Sequence, residues 1–249
     1  MNYFKEGEYV LIRYGEKKFL RKLLPEQSLN VKKQVLKFDE IIGKPEGIKV
    51  GNFEVYRPTL EDIILLGFER KTQIIYPKDA FYIAFKLNLD KEKKVLEFGT
   101  GSGALCAVLA NLAGEVWTYE AVEEFFKTAK KNFKKFGLKG NVKFHNLDFS
   151  EANVPENFFD AAFIDVREPY PHLEKVHRAL KVGGTVGFLL PTANQVIKLL
   201  ESLEKFFGNV EIVEILQRQY KTVAERFRPE DQMVAHTAYL VFGRKLISS

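Results

Sequence analysis

The chain has 249 residues, 46% hydrophobic and 29% charged, enough for two modest domains and too apolar for a disordered or fibrous protein. No apolar run reaches the ~18–20 residues of a membrane span, residues 1–6 carry no signal-peptide stretch, and the lone Cys106 excludes an intrachain disulfide or a Cys-rich zinc site. The net charge of +5 is uneven, with 12 Lys/Arg against 8 Asp/Glu in residues 1–60 and 26 against 25 beyond.

That imbalance predicts a small basic domain, suited to a polyanion, ahead of a nearly neutral one. A reducing cytoplasm is the expected setting. The histidines (His145, His172, His177, His236) contain no HExxH pair, and no metal is expected.

Residues 8–24 read as a β-hairpin, with Tyr9-Val10-Leu11-Ile12 and Lys18-Phe19-Leu20 on either side of a turn containing Gly15. Gly51-Asn52 marks a second turn, between residues 47–50 and 53–56. A small β-barrel or sheet is therefore expected over residues 1–58. Pro58 and Thr59 open a helix, with Thr59 and Asp62 spaced as a loose capping box.

From about residue 78 strands and helices alternate. Helices are expected at 78–87, 104–113, 122–136, 172–180 and 194–206. Strands are expected at 94–98, 115–119, 141–144, 161–164 and 185–190, followed by two longer β-rich stretches at 210–220 and 234–244. The alternation implies βαβ units on a parallel sheet, an α/β domain over residues 70–249 behind a β-rich domain and linker at 1–69.

Gly99, Gly101 and Gly103 fall where the strand 94–98 turns into a helix. There a ligand can lie directly on backbone, and the helix N-terminus offers unpaired N–H groups. Glu120 ends the next strand about 20 residues on, where a carboxylate accepts from ribose hydroxyls, as NAD and S-adenosylmethionine sites both require. Asp148 follows the third strand, placed to accept from an adenine amino group. Glu97 stands where dinucleotide folds carry an apolar residue. Together Glu97, the three glycines, Glu120 and Asp148 resemble the nucleoside site of class I S-adenosylmethionine-dependent methyltransferases. Asp165 leaves the fourth strand at the sheet edge that holds reacting groups, and is the first-choice functional carboxylate. Glu168-Pro169-Tyr170 partly resembles the (N/D)PP(Y/F) loop of amino-methylating enzymes, lacking its first proline.

Three segments carry a closer resemblance: residues 73–79 (QIIYPKD), 95–105 (VLEFGTGSGAL) and 233–241 (MVAHTAYLV). They are similar to the tRNA adenine-N1 methyltransferases, which modify adenosine 58 of the T-loop. The resemblance implies a seven-stranded, Rossmann-like sheet whose last strand is antiparallel, a small N-terminal β-domain, a homotetramer, S-adenosylmethionine as cofactor and tRNA as partner. It places cofactor contacts on Gly99, Gly101, Ser102, Gly103, Ala104, Leu105, Glu120, Asp148 and Asp165, and base contacts on Tyr76 and Asp165. His236 belongs to the signature and reads as structural. Tyr170 stands where the family carries Trp, keeping an aromatic platform.

Adenine N1 has an in-plane lone pair and no proton, so no strong base is needed. A fixed carboxylate near the base would stabilise its growing positive charge, the role the resemblance gives Asp165. Because N1 lies on the pairing edge, the nucleotide has to be extruded, with Tyr76 stacking on or flanking it. Phosphate contacts are expected from the N-terminal Lys/Arg and from Arg226 and Arg228. The alternatives are a methyltransferase for another RNA, protein or small molecule, a non-catalytic tRNA-binding subunit, or an NAD-dependent oxidoreductase.

Overall fold

The computed structural model describes residues 2–138 and 140–247, and its contacts separate into two units that divide between Glu69 and Arg70.

In the first unit six short strands follow one another: β1 (Tyr9–Tyr14), β2 (Lys17–Lys22), β3 (Ser28–Val31), β4 (Gln34–Lys37), β5 (Ile48–Val50) and β6 (Phe53–Tyr56). Four of them form an antiparallel sheet in the order β2-β1-β6-β5, with two-residue turns at Gly15-Glu16 and Gly51-Asn52. The β3–β4 hairpin has no glycine signal in the sequence, because its turn is Lys32-Lys33, with Lys32 itself at φ +55°. Phe4, Ile12, Leu36, Phe38 and Val55 fill the core. Thr59 and Asp62 form a complete capping box: the Thr59 hydroxyl accepts from the Asp62 N–H and the Asp62 carboxylate from the Thr59 N–H. The helix it starts, α1 (Leu60–Asp62), lasts one turn before widening over Ile63–Gly67, where Phe68 N–H reaches back five residues to the Ile63 carbonyl.

The second unit holds α2 (Pro77–Lys86), β7 (Lys94–Phe98), α3 (Ala104–Leu112), β8 (Glu115–Tyr119), α4 (Glu123–Phe136), β9 (Val142–His145), β10 (Phe159–Ile164), α5 (Leu173–Ala179), β11 (Leu180–Leu190), α6 (Ala193–Leu203), β12 (Phe207–Val213) and β13 (Tyr239–Lys245). Seven strands make one sheet in the order β12-β13-β11-β10-β7-β8-β9. Strands β7 to β11 run parallel and β13 runs antiparallel to both its neighbours. The sequence order reverses at β7, which has β8 on one side and β10 on the other. That is the switch point at which open α/β sheets leave a crevice beyond the strand ends.

The central strands are buried on both faces, which is why β10 is a nearly continuous apolar run rather than an alternating one, while β7 buries Glu97 among apolar residues. Helix α3 is buried from Ala104 to Ala110 and is apolar all round. Two expectations needed correction. Strand β11 begins at Leu180 rather than 185, because a register shift between Phe159 and Ala161 on β10 absorbs the extra residues, with Gly183 at φ +71°. The two long C-terminal β stretches are also shorter than expected. Between β12 and β13 runs an arm clipped by backbone hydrogen bonds from Lys221 to Arg228 and from Glu230 to Gln219, with Tyr220 and Phe227 stacked 5.3 Å apart.

Candidate functional site

Four strand ends, after Phe98, Tyr119, His145 and Ile164, open onto a cavity of about 930 Å3. Its floor is the loop from β7 to α3. Gly99 (φ +93°) has no room for a side chain: a Cβ there would lie 2.2 Å from the Asp165 carbonyl oxygen. At φ +55°, Gly101 donates its N–H to Glu120 Oε2 at 2.8 Å, while the other Glu120 oxygen accepts from Val122 N–H at 2.9 Å. The carboxylate at the end of β8 is thus anchored on both sides and keeps lone pairs facing the cavity it lines. Helix α4 secures the loop from behind, Asn132 Nδ2 donating to the Ser102 carbonyl at 3.0 Å.

Of the sequence-derived cofactor residues, Gly99, Gly101, Ser102, Ala104, Leu105, Glu120, Asp148 and Asp165 all line this cavity. Gly103 does not. It faces α4, where a Cβ would press on Phe133 and Ala129 at 3.1 and 3.3 Å, so its smallness serves packing. Asp148 is exposed and accepts from Ser150, whose hydroxyl and N–H hold its carboxyl below the usual range. Ser102 Oγ is buried without a hydrogen-bond partner. Sequence reasoning missed His172, which lines the cavity with its ring edge-on to Phe98 and is held below the usual imidazole range by burial. No spacing rule points to it.

Beneath the floor lies Glu97, 1% exposed. Burial pushes its carboxyl up to about 8, against hydrogen bonds from Thr118 and Cys106, with Asp165 and Glu120 adding negative potential. Thr118 donates to Glu97 at 2.6 Å and is itself bonded to Thr100, so the acid is tied to the loop above it.

A second cavity, about 420 Å3, shares Gln73, Ile74, Ile75, Asp165, Val166 and Arg167 with the first. Asp165 stands in the common wall. Its carboxyl accepts no hydrogen bond from the described residues, and burial, with the nearby Glu120 charge, pushes it up to about 7. Tyr76 lines the second cavity, its hydroxyl bonded to Gln73 Nε2 at 3.1 Å, while its backbone caps α2.

The far wall includes Asp79, His236 and Thr237, of which sequence reasoning gave a role only to His236, as structural. Lys78 and Asp79 form a buried ion pair at 2.9 Å, and the Lys78 ammonium also donates to the Ile215 carbonyl (2.8 Å) and to Thr237 Oγ1 (2.7 Å). His236 has both ring nitrogens on acceptors, Nε2 on the Pro191 carbonyl at 3.0 Å and Nδ1 on Glu214 at 2.7 Å. Those contacts, the Pro191 carbonyl first, raise its pKa and make it a clamp between the arm and β11. Tyr170, the residue expected to keep an aromatic platform, stands outside both cavities. Its hydroxyl donates to the Gln195 carbonyl at 3.2 Å while Lys198 sits over its ring.

Sheet order, antiparallel last strand and a cavity over a glycine loop at the switch point together define a class I methyltransferase fold. The family model described as "tRNA methyltransferase complex GCD14 subunit" matches residues 54–233, and the chain belongs to that family. A crystal structure of tRNA (m1A58) methyltransferase TrmI from Aquifex aeolicus superposes with a TM-score of 0.96 at 78% identity, covering 99% of this chain and all of that one. The tRNA (adenine(58)-N(1))-methyltransferase TrmI of Thermus thermophilus is 36% identical over 195 residues, 77% of this chain and 76% of its own length. A Thermotoga maritima structure titled SAM-dependent O-methyltransferase is 38% identical, with a TM-score of 0.90 over 99% of this chain and 96% of that one. No helix among the described residues is long and apolar enough to cross a membrane, and no cluster of three or more metal-ligating side chains occurs among them.

Proposed function

We propose that this protein transfers a methyl group from S-adenosylmethionine to N1 of adenosine 58 in the T-loop of tRNA. One observation carries the reading: a single carboxylate, free of hydrogen bonds, stands in the wall shared by the cavity over the glycine loop and the cavity beside Tyr76.

The first cavity suits a nucleoside cofactor. Ser102 Oγ is buried and unsatisfied, and such an atom calls for a partner. Gly99 and Gly101 leave backbone bare for close approach, Glu120 keeps acceptor capacity for ribose hydroxyls, and Asp148 lines the wall where an adenine amino group would donate. When bound, S-adenosylmethionine supplies an electrophilic methyl on a sulfonium; N1 contributes the electron pair of the new bond and sulfur keeps the pair of the old one.

The protein's own task is positioning and electrostatics. Asp165, once ionised, accepts from the exocyclic amine and stabilises positive charge growing on the ring. Tyr76 flanks the extruded base. Lysines of the N-terminal unit, with Arg226 and Arg228, meet phosphates, which predicts binding that weakens steeply with salt. Assembly into a homotetramer is part of the same reading. Its support is the family resemblance together with exposed Val210 and Ile212 on the edge strand β12, and light scattering tests it.

Asp165→Ala is expected to lower turnover by about 10²–10³-fold while changing S-adenosylmethionine affinity far less. A variant with near-normal turnover refutes the role. Methyl transfer to oxygen is the competing outcome, since it needs a base and Asp165, pushed up to about 7, is suited to that work. Nucleoside digestion of methylated tRNA separates the two, yielding N1-methyladenosine on the reading proposed. Protein that binds tRNA without methylating it would be a non-catalytic subunit.

A further inference from the structure

Beyond the base cavity the crevice continues. A groove of about 540 Å3 shares Arg167, Pro191 and Gln195 with it and is otherwise lined by Glu168, Tyr170, Thr192, Asn194 and Lys198. Arg167 borders all three cavities.

The groove is built rather than incidental. Gln195, in the first turn of α6, donates its side-chain amide to the Arg167 carbonyl at 3.0 Å and accepts from the Tyr170 hydroxyl through its own carbonyl at 3.2 Å. Both edges are thereby joined. One helical turn on, Lys198 Nζ rests 4.4 Å from the centre of the Tyr170 ring. Such a contact orients an ammonium without neutralising it.

Neither Arg167 nor Lys198 makes an ion pair with any described residue. Glu168, the groove's one carboxylate, leaves an excess of positive charge.

Resting on the function proposed above, we infer that this groove receives a phosphodiester of the RNA strand flanking the extruded nucleotide, held between Arg167 and Lys198. A base drawn into the cavity beside Asp165 brings its backbone to the rim, where those two cations stand. Tyr170 then matters as the support that fixes Lys198 in place, not as a stacking surface.

The test measures tRNA binding and methylation across a salt series for wild type, Lys198→Gln, Lys198→Arg and Arg167→Gln, with calorimetry of S-adenosylmethionine alongside. Each charge removal is expected to raise KM for tRNA about three- to tenfold and to reduce the salt slope by about 0.7–1. Lys198→Arg restores both, and Lys198→Gln leaves cofactor affinity unchanged. Glu168→Gln shifts tRNA affinity the other way. Wild type that methylates tRNA alongside a Lys198→Gln protein of unchanged KM and slope overturns this inference alone, as does a loss that Arg fails to rescue. Wild type that neither binds nor methylates tRNA removes the proposed function and this inference with it.

Discussion

The two cavities that meet at Asp165 are made in opposite ways. The larger is floored by backbone: a glycine loop, and a carboxylate anchored by the N–H groups of Gly101 and Val122, within the β7-α3-β8 unit, with two further strand ends closing it. The smaller is made by side chains that join distant segments, with Lys78 reaching Ile215 and Thr237, and His236 bridging Glu214 and Pro191. A site of the first kind is fixed by local chain geometry. One of the second kind exists only after the long arm has been tied down, so its stability is the sum of a few bonds.

The contrast is tested most severely by Asp79→Ala. It strands a buried lysine, and breaking such a pair costs about 3–5 kcal/mol, read from urea denaturation. On this account the second cavity is lost while residual cofactor binding survives; equal loss of both sites breaks the distinction. Gly99→Ala attacks the other cavity, adding strain at φ +93° and a clash with the Asp165 carbonyl, at a cost of about 2 kcal/mol or more. Cofactor affinity by calorimetry should fall with it.

A pH series separates the cavities further. Asp165 loses its charge as pH falls through about 7, so kcat/KM for tRNA should decline on the acid side, and a bound sulfonium should draw that midpoint lower. A flat profile from pH 5 to 8 removes Asp165 as the stabilising charge. A second pH effect is expected at Glu97. Its folded pKa of about 8 lies above the ordinary carboxyl value near 4.5, so the folded chain holds a proton the unfolded chain has lost between those limits. Stability from this group is full below about 4.5 and is lost as pH rises through 8. Glu97→Gln should therefore raise Tm at pH 9 more than at pH 5.

This division also explains what the sequence made legible. Gly99, Gly101, Glu120, Asp148 and Asp165 could be found because strand, turn and helix follow one another and put each at a strand end. Gly103 could not be separated from its neighbours by pattern alone, since glycine is equally needed where a helix presses, here Phe133. The Lys78–Asp79–Thr237 network was hidden because its partners lie 158 and 159 residues apart along the chain. The β3–β4 hairpin was hidden because lysine occupies the turn, and the arm between β12 and β13 because its apolar residues carry a strand pattern that side-chain clamps override.

At Gly99 the loop that would carry the nucleoside rests directly on the carbonyl of Asp165, whose own N–H is bonded to Phe98 at 2.8 Å. The contact leaves no slack between the two backbones. The backbone that floors the first cavity and the backbone that carries the acid into the second are therefore one packed layer, and a side chain added at Gly99 would disturb both cavities at once.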